Sequence, residues 1–275
     1  MMKTQGITSK LSQGEKKKLR SLLTKKGRQT ENKFLAEGVR LLEESIRHAF
    51  VPLRIYFSRA ELNDRGGKLL EQFSSLKVPL KEIAARDLRH ISDTETSQGL
   101  TGLFDIPRRN PRDIAGGAFG KILLLDRISD PGNAGALMRS ALAFGFDLVF
   151  ATEETVELYN PKVVRASVGA LFGIPVITGA AADIGGLKKK HRCAVIITDP
   201  KGGHIKSQMK KLKSKKNFVL AIGSEAAGVS PEIRSMADFS IRIAHSDRVE
   251  SLNAAVAGSI LMKEIYDLTA RKGRP

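Results

Sequence analysis

Apolar and polar residues alternate in two regimes along this chain. Between residues 31 and 105 the apolar positions come in short groups. Phe34, Leu35, Val39, Leu41 and Leu42 follow a helical spacing with polar residues between them. Ile55, Tyr56 and Phe57 predict a short strand. Leu69, Leu70, Phe73 and Leu76 predict another helix, residues 78–83 a further short strand, and residues 99–104 a closing strand. This part reads as a compact α/β unit. From residue 121 the pattern changes. Continuous apolar runs recur at 121–126, 147–151, 174–179, 193–198, 217–222 and 239–243, most of them separated by helical stretches. Unbroken apolar strands alternating with helices predict a parallel sheet covered on both faces. Ligands of such sheets sit beyond the carboxyl ends of the strands, so the residues just after each run are the candidates for chemistry. Between the two regimes Pro107, Arg108, Arg109, Asn110, Pro111, Gly116, Gly117 and Gly120 form a linker without regular structure. The expected layout is a basic arm over 1–30, a smaller α/β domain over 31–106 and a larger one over 118–275.

A length of 275 residues suits two domains at about one per 150 residues. No run approaches the ~20 apolar residues of a membrane span, and the basic N-terminus lacks the apolar segment of a secretory signal. Cys193 is the single cysteine, which excludes an internal disulfide and suits a reducing cytoplasm. The formal charge of +17 changes the picture most. It points to a polyanionic partner, nucleic acid being the commonest, or else to a protein that is merely basic. The surplus concentrates in residues 1–40, with eleven Lys or Arg against three Glu. Lys16, Lys17, Lys18, Arg20, Lys25, Lys26 and Arg28 are its densest part. Leu11, Leu19, Leu22 and Leu23 are too few to bury a long helix there. The segment is therefore either an arm or short helix that tracks phosphates, or a solvated tail. The lysines at 188–190 and 210–216 read as solvated helix faces or as part of the same basic surface.

Neither GxGxxG nor GxxxxGK[ST] occurs, so the common dinucleotide and P-loop signatures are missing. His48, His90, His191, His204 and His245 are scattered, and no metal site is expected. Three strand-end segments remain: 126–140, 222–228 and 248–257. In the first, residues 130–133 (Asp-Pro-Gly-Asn) form a turn and Asn133 is a candidate cap for a helix starting at Ala134. That helix holds one charge up to Phe144, Arg139, among small and apolar neighbours. A guanidinium buried there either pairs with a carboxylate or lines a cleft. In the second, Gly223 and Gly228 permit a sharp turn or close approach of a ligand, and Glu225 favours the start of a following helix. In the third, Ser251 is a candidate cap.

Together these segments resemble the SpoU (TrmH) methyltransferases of the SPOUT class. The motifs carrying the resemblance are Asn133-x-Gly135 with Arg139, Gly223-x-Glu225-x-x-Gly228, and Glu250-Ser251-Leu252-Asn253, in the family's order. Residues 158–172 also look like this family, and residues 31–105 are similar to its N-terminal substrate-binding domain. The resemblance implies a catalytic domain with a trefoil knot, and a homodimer whose active site uses both subunits. It implies S-adenosylmethionine held by loops at Thr198, Gly223, Ile243, Ser251 and Leu252, and methyl transfer to a ribose 2′-hydroxyl of RNA. Ala244 and His245 stand where the family usually has Pro-Met, and Arg248 where it has a small residue. The catalytic residues carried over are Arg139, Asn133, Glu225 and Asn253. Arg165 and the basic residues Lys16, Lys17, Lys18 and Arg28 are candidate RNA contacts. Ribosomal RNA is the favoured substrate. Transfer RNA, or RNA binding without catalysis on the same scaffold, are the alternatives.

Overall fold

The computed structural model describes residues 10–93, 98–109, 119–212, 215, 217–246 and 248–270. Most of the linker and the first nine residues of the basic segment lie outside that range. The chain forms two compact units: Met1–Pro107 with Tyr159–Gly173, and Arg108–Leu158 with Ile174–Pro275.

The first unit begins with α1 (Gln13–Ser21) and α2 (Lys25–Glu31), each opened by a hydroxyl cap, from Ser12 and Thr24 respectively. Then follow β1 (Lys33–Glu37), α3 (Val39–Arg47), β2 (Arg54–Phe57), α4 (Asp64–Ser75), β3 (Leu80–Glu82), α5 (Ala85–Ile91) and β4 (Leu100–Asp105). The sheet runs β1-β4-β2-β3, with β4 antiparallel to both neighbours and β2 parallel to β3. Two sequence expectations change here. Residues 34–42 are not one helix. Phe34 and Leu35 lie in β1, Gly38 turns the chain at φ +106°, and only Val39 onward is helical. Nor do residues 13–31 form an arm. Leu11, Leu19 and Leu22 are buried with Leu35, Tyr56, Ile83, Leu88 and Ile91. Three leucines cannot bury a long helix, but they suffice for two short ones laid on a neighbouring surface. Glu15 fastens α1 in place, accepting from Tyr56 Oη at 3.3 Å and from Lys81 Nζ at 2.6 Å. Burial, and then the Glu15 charge, push the Tyr56 phenol above its usual pKa.

The second unit opens with β5 (Lys121–Asp126), α6 (Pro131–Ala143) and β6 (Leu148–Thr152). The chain then contributes α7 (Pro161–Ala166) and α8 (Ala170–Gly173) to the first unit, where Tyr159 and Phe172 join an aromatic cluster with Phe34, Phe50 and Phe104. It returns with β7 (Val176–Gly179), α9 (Ala181–His191), β8 (Ala194–His204), α10 (Ile205–Leu212), β9 (Phe218–Gly223), α11 (Pro231–Ser235), β10 (Phe239–Arg242) and α12 (Ala254–Ala270). The sheet order is β10-β8-β9-β5-β6-β7, parallel at every pairing, as the apolar runs predict. From β5 the chain winds outward through β6 and β7, then crosses to build β8, β9 and β10 on the other side. The direction of winding therefore reverses between β5 and β9, and in sheets of this kind ligands bind at such a reversal, beyond the carboxyl ends of the strands. β8 runs past the predicted end at 198, and β10 pairs along it with a register shift between Ser240 and Ile241. Among the described residues no helix is long and apolar enough to cross a membrane, and no acidic, His or Cys group is placed to hold a metal.

Candidate active site

At the reversal point Asp126, the last residue of β5, is in register with Gly223, the last of β9. Each strand releases its chain into one of the sequence motifs. Asp126 is buried and accepts from the Ser230 N–H, tying the β9 loop to β5. After β5 the helix cap is Asp130, whose Oδ1 accepts from the Asn133 N–H at 2.7 Å, with Pro131 at the first helical position. This corrects the expectation that Asn133 caps α6. An Asp-Pro pair ahead of an apolar helix is itself a start signal, and it moves the helix three residues earlier. Asn133 is left with its amide free for other work.

After β9 the chain makes a tight turn. Ser224 and Gly228 exchange backbone hydrogen bonds of 2.8 and 3.1 Å, and Gly228 has φ +64°. A side chain on Gly223 would run into the Gly228 backbone, so glycine is required where the turn closes. Glu225 sits on this turn. At the start of α12 the cap is Asn253 rather than Ser251. Its Oδ1 accepts from the N–H groups of Ala255 at 2.9 Å and Val256 at 3.2 Å. Ser251 is exposed, two residues too early to reach those donors.

The three motifs converge on one carboxylate oxygen. Glu225 Oε1 accepts from Asn133 Nδ2 at 2.9 Å, from Asn253 Nδ2 at 2.8 Å and from the Ala254 N–H at 3.4 Å. Asn253 Nδ2 also reaches Asn133 Oδ1 at 2.9 Å. Side chains 92, 28 and 120 positions apart thus form one network. With three N–H groups on it, Oε1 is an anchor for the loops and a poor proton acceptor.

The remaining candidates divide. Thr198 follows Ile197, which is in register with Ala221 of β9. Gly223 ends β9, Ile243 directly follows β10, and Leu252 directly precedes Asn253. Gly223, Ile243 and Leu252 are strand-end or loop positions, whereas Thr198, expected in a loop, lies inside β8, because that strand continues to His204. Arg139 departs from expectation: it is exposed, and it has no ion pair or hydrogen bond among the described residues. The buried side of α6 consists of Ala134, Gly135, Leu137, Met138 and Ala141, and it packs on α12, where Ser140 bonds Ser259 at 2.7 Å. Arg139 projects from another side.

Most basic candidates of the first unit are engaged. Lys16 pairs with buried Asp87 at 2.6 Å and Lys18 with Glu31 at 2.7 Å. Arg28 is only 2% exposed and donates to the Leu22 carbonyl at 2.7 Å. It locks α2 to the preceding turn and has no surface to offer RNA. Lys17 is exposed, with no ion pair among the described residues. Arg165 pairs with Asp93 at 2.8 Å, both a third exposed.

Sequence reasoning missed the Asp199–Arg234 ion pair, which ties the middle of β8 to α11. Burial alone would raise the Asp199 pKa. The Lys201 backbone N–H and the Arg234 guanidinium outweigh it and hold the carboxyl below the usual range. Its two partners lie 2 and 35 residues away, and only the nearer could be anticipated.

A profile of the SpoU rRNA methylase family matches residues 120–263, which is more than half of the chain. This protein belongs to the SpoU rRNA methylase family. A second profile, for the MRM3-like substrate binding domain, matches residues 15–102 and so takes in both α1 and α2. Among relatives of this SpoU-family chain, the 23S rRNA (guanosine(2553)-2′-O)-methyltransferase RlmP of Bacillus subtilis is 26% identical over 88% of this chain and 92% of its own length. The human mitochondrial rRNA methyltransferase 3 is 34% identical, over 54% of this chain and 36% of its own length. A TrmH-family structure from Porphyromonas gingivalis superposes with a TM-score of 0.78 at 29% identity, covering 93% of this chain and 98% of that one. The AdoMet-bound rRNA methyltransferase of Sinorhizobium meliloti shares the fold at a TM-score of 0.81 and 24% identity, over 95% of this chain and 98% of that one.

Proposed function

We propose that this SpoU-family protein methylates a ribose 2′-hydroxyl of ribosomal RNA with S-adenosylmethionine, acting as a homodimer. The observation that carries the reading is the Asn133–Glu225–Asn253 network at the point where the sheet reverses. Two relatives that align over most of the chain, from B. subtilis and from Streptomyces viridochromogenes, are named as 23S rRNA 2′-O-methyltransferases, which favours ribosomal over transfer RNA. For a chain like the bacterial relative the working compartment is the cytoplasm.

Thr198, Gly223, Ile243, Ser251 and Leu252 are the residues that would hold the cofactor. The donor set fits: it is uncharged, with apolar or small side chains, all but Thr198 of β8 lie at strand ends or in loops, and the cramped Gly223 turn keeps side chains out. The knot implied by the resemblance belongs to this reading, since it would hold these loops together. When bound, the cofactor supplies an electrophilic sulfonium methyl. The protein's own task is to place the 2′-oxygen in line and to handle its proton. Asn133 and Asn253, fixed by Glu225, position the ribose. Arg139 stays cationic and stabilises the developing alkoxide. A water or a substrate phosphate takes the proton. Arg139 points out of its own unit without a partner among the described residues, which supports a site completed by RNA or by a second subunit.

The decisive experiment combines calorimetry with S-adenosylmethionine and labelled methyl transfer to a protein-free 23S rRNA transcript. Cofactor binding and a methyl group that blocks alkaline cleavage at one linkage are expected. RNA binding without cofactor binding would instead favour a non-catalytic role, and label on a base would remove the ribose assignment.

A further inference from the structure

Arg127, directly after β5, has no explanation in the folded chain. Its backbone lies at φ +58°, a left-handed conformation that a large side chain rarely adopts and that glycine or asparagine takes more readily. The conformation is imposed from both sides. The Arg127 N–H donates to Thr152 Oγ1 at 3.0 Å, and the Val156 N–H donates to the Ile128 carbonyl at 2.8 Å. Buried Thr155 steadies the strap, lying 3.2 Å from the Thr152 hydroxyl and donating to the Leu125 carbonyl at 2.9 Å.

What this strap presents is a guanidinium with nothing to hold. Arg127 is half-buried, its Nε is buried without a hydrogen-bond partner, and it has no ion pair among the described residues. Folding does not ask for an arginine here, since the backbone disfavours it and no carboxylate or carbonyl among the described residues receives it. An unpaired N–H in such a place calls for an explanation outside the chain's own packing. The position supplies one. Arg127 directly follows Asp126, the last residue of β5, and its backbone is bonded to Thr152 at the end of β6, so it stands at the carboxyl ends of these two strands, where ligands of parallel sheets bind. The Nη end of this guanidinium is not among the buried unpartnered atoms and can be presented to an oxyanion such as a phosphate.

We propose that Arg127 is an RNA-phosphate contact that seats the substrate backbone at the carboxyl ends of β5 and β6. It rests on the RNA methyltransferase reading. In that role it is a substrate-binding residue rather than part of the methyl transfer.

The test uses Arg127→Gly and Arg127→Asn, both of which accept the left-handed backbone. Binding to a protein-free 23S rRNA transcript is measured across a salt series, alongside calorimetry with S-adenosylmethionine and thermal unfolding. Both variants should keep the parent's melting temperature and cofactor affinity. They should bind the transcript about tenfold more weakly, and the slope of log K against log salt should be shallower by about one. In turnover the loss should appear in KM for RNA and leave kcat nearly untouched. Parental RNA affinity with an unchanged salt slope overturns the proposal. So does failure of both variants to fold, because the guanidinium would then be a structural element. A parent protein that binds the transcript but transfers no methyl group would sink the methyltransferase reading, while the contact would still be judged from binding.

Discussion

At the scale of single residues, Arg139 and the Glu225 network divide the labour of the site. Glu225, Asn133 and Asn253 hold one another and fix the geometry. Arg139 holds nothing among the described residues, so its removal should leave the fold untouched. Arg139→Ala is expected to lose about 10²- to 10³-fold in kcat, the range seen when one donor to a developing oxyanion is removed. Melting temperature and S-adenosylmethionine affinity should match the parent. Turnover within a few-fold of the parent would refute the role. Arg139 stands out in the sequence as the lone charge in an apolar helix, and its catalytic role is what the resemblance implies. Its exposure was not read. At about 100° per residue, Ala134, Gly135, Leu137, Met138 and Ala141 share one side of α6, and Arg139 falls just outside it. An apolar helix with one charge need not bury that charge.

Elements begin and end where their caps allow, and the two helix starts at the site make separable predictions. Asp130 caps α6 while Asn133 serves the network. Asp130→Ala should therefore cost about 1 kcal/mol of stability in denaturant unfolding, as loss of an N-cap usually does. Asn133→Ala should leave stability near the parent and lower kcat instead. The reverse pattern would return the cap to Asn133. The Asp199–Arg234 pair joins β8 to α11 and makes a third prediction, with a sign set by its pKa. The Asp199 carboxyl titrates lower in the folded state than in the unfolded one. Its contribution is thus present above the unfolded value of about 3.9 and is lost as pH falls through the depressed folded value. Asp199→Asn should melt below the parent at neutral pH, and the gap should close on acidification. A gap that is constant with pH would show that the charge is not responsible. At this scale the larger domain was nearly all legible, because buried parallel strands are continuous apolar runs that need no partner to be recognised. The smaller domain was less so. Phe34, Leu35, Val39, Leu41 and Leu42 fit a helical period, but the run crosses Gly38, where the chain turns from strand to helix. A spacing rule carries no information about which side of a glycine each residue belongs to. The convergence of the three motifs was legible only through the resemblance, since no periodicity links residues about a hundred positions apart.

For the whole molecule, the charge of +17 sets two demands that pull in opposite directions. It draws the protein to RNA, with affinity that should fall steeply with salt, and it makes two copies repel. Pairing inside the chain occupies some cations without changing that net value, as Lys16 with Asp87 and Lys18 with Glu31 illustrate. A homodimer then needs an apolar face large enough to overcome the repulsion. α12 offers the material. Val256 and Ile260, four positions apart and so stacked on one side of the helix, are both exposed, and Tyr266 is exposed further along, 5.9 Å from the Phe144 ring. The same helix packs on α6, which carries Arg139. A second copy meeting that face would bury the apolar groups and come within the neighbourhood of the Arg139 guanidinium. Ile260→Glu adds a charge at the centre of the face without touching the Leu261, Met262 and Ile265 side of the helix, which is buried. In sedimentation velocity the parent should run as a dimer at micromolar concentration and the variant should shift toward monomer, with its melting curve still cooperative. If the site draws on both copies, methyl transfer should fall in step with the dimer fraction and recover as protein concentration rises. A monomeric variant with the parent's turnover would mean that one chain holds a complete site, and a monomeric parent would remove the dimer altogether.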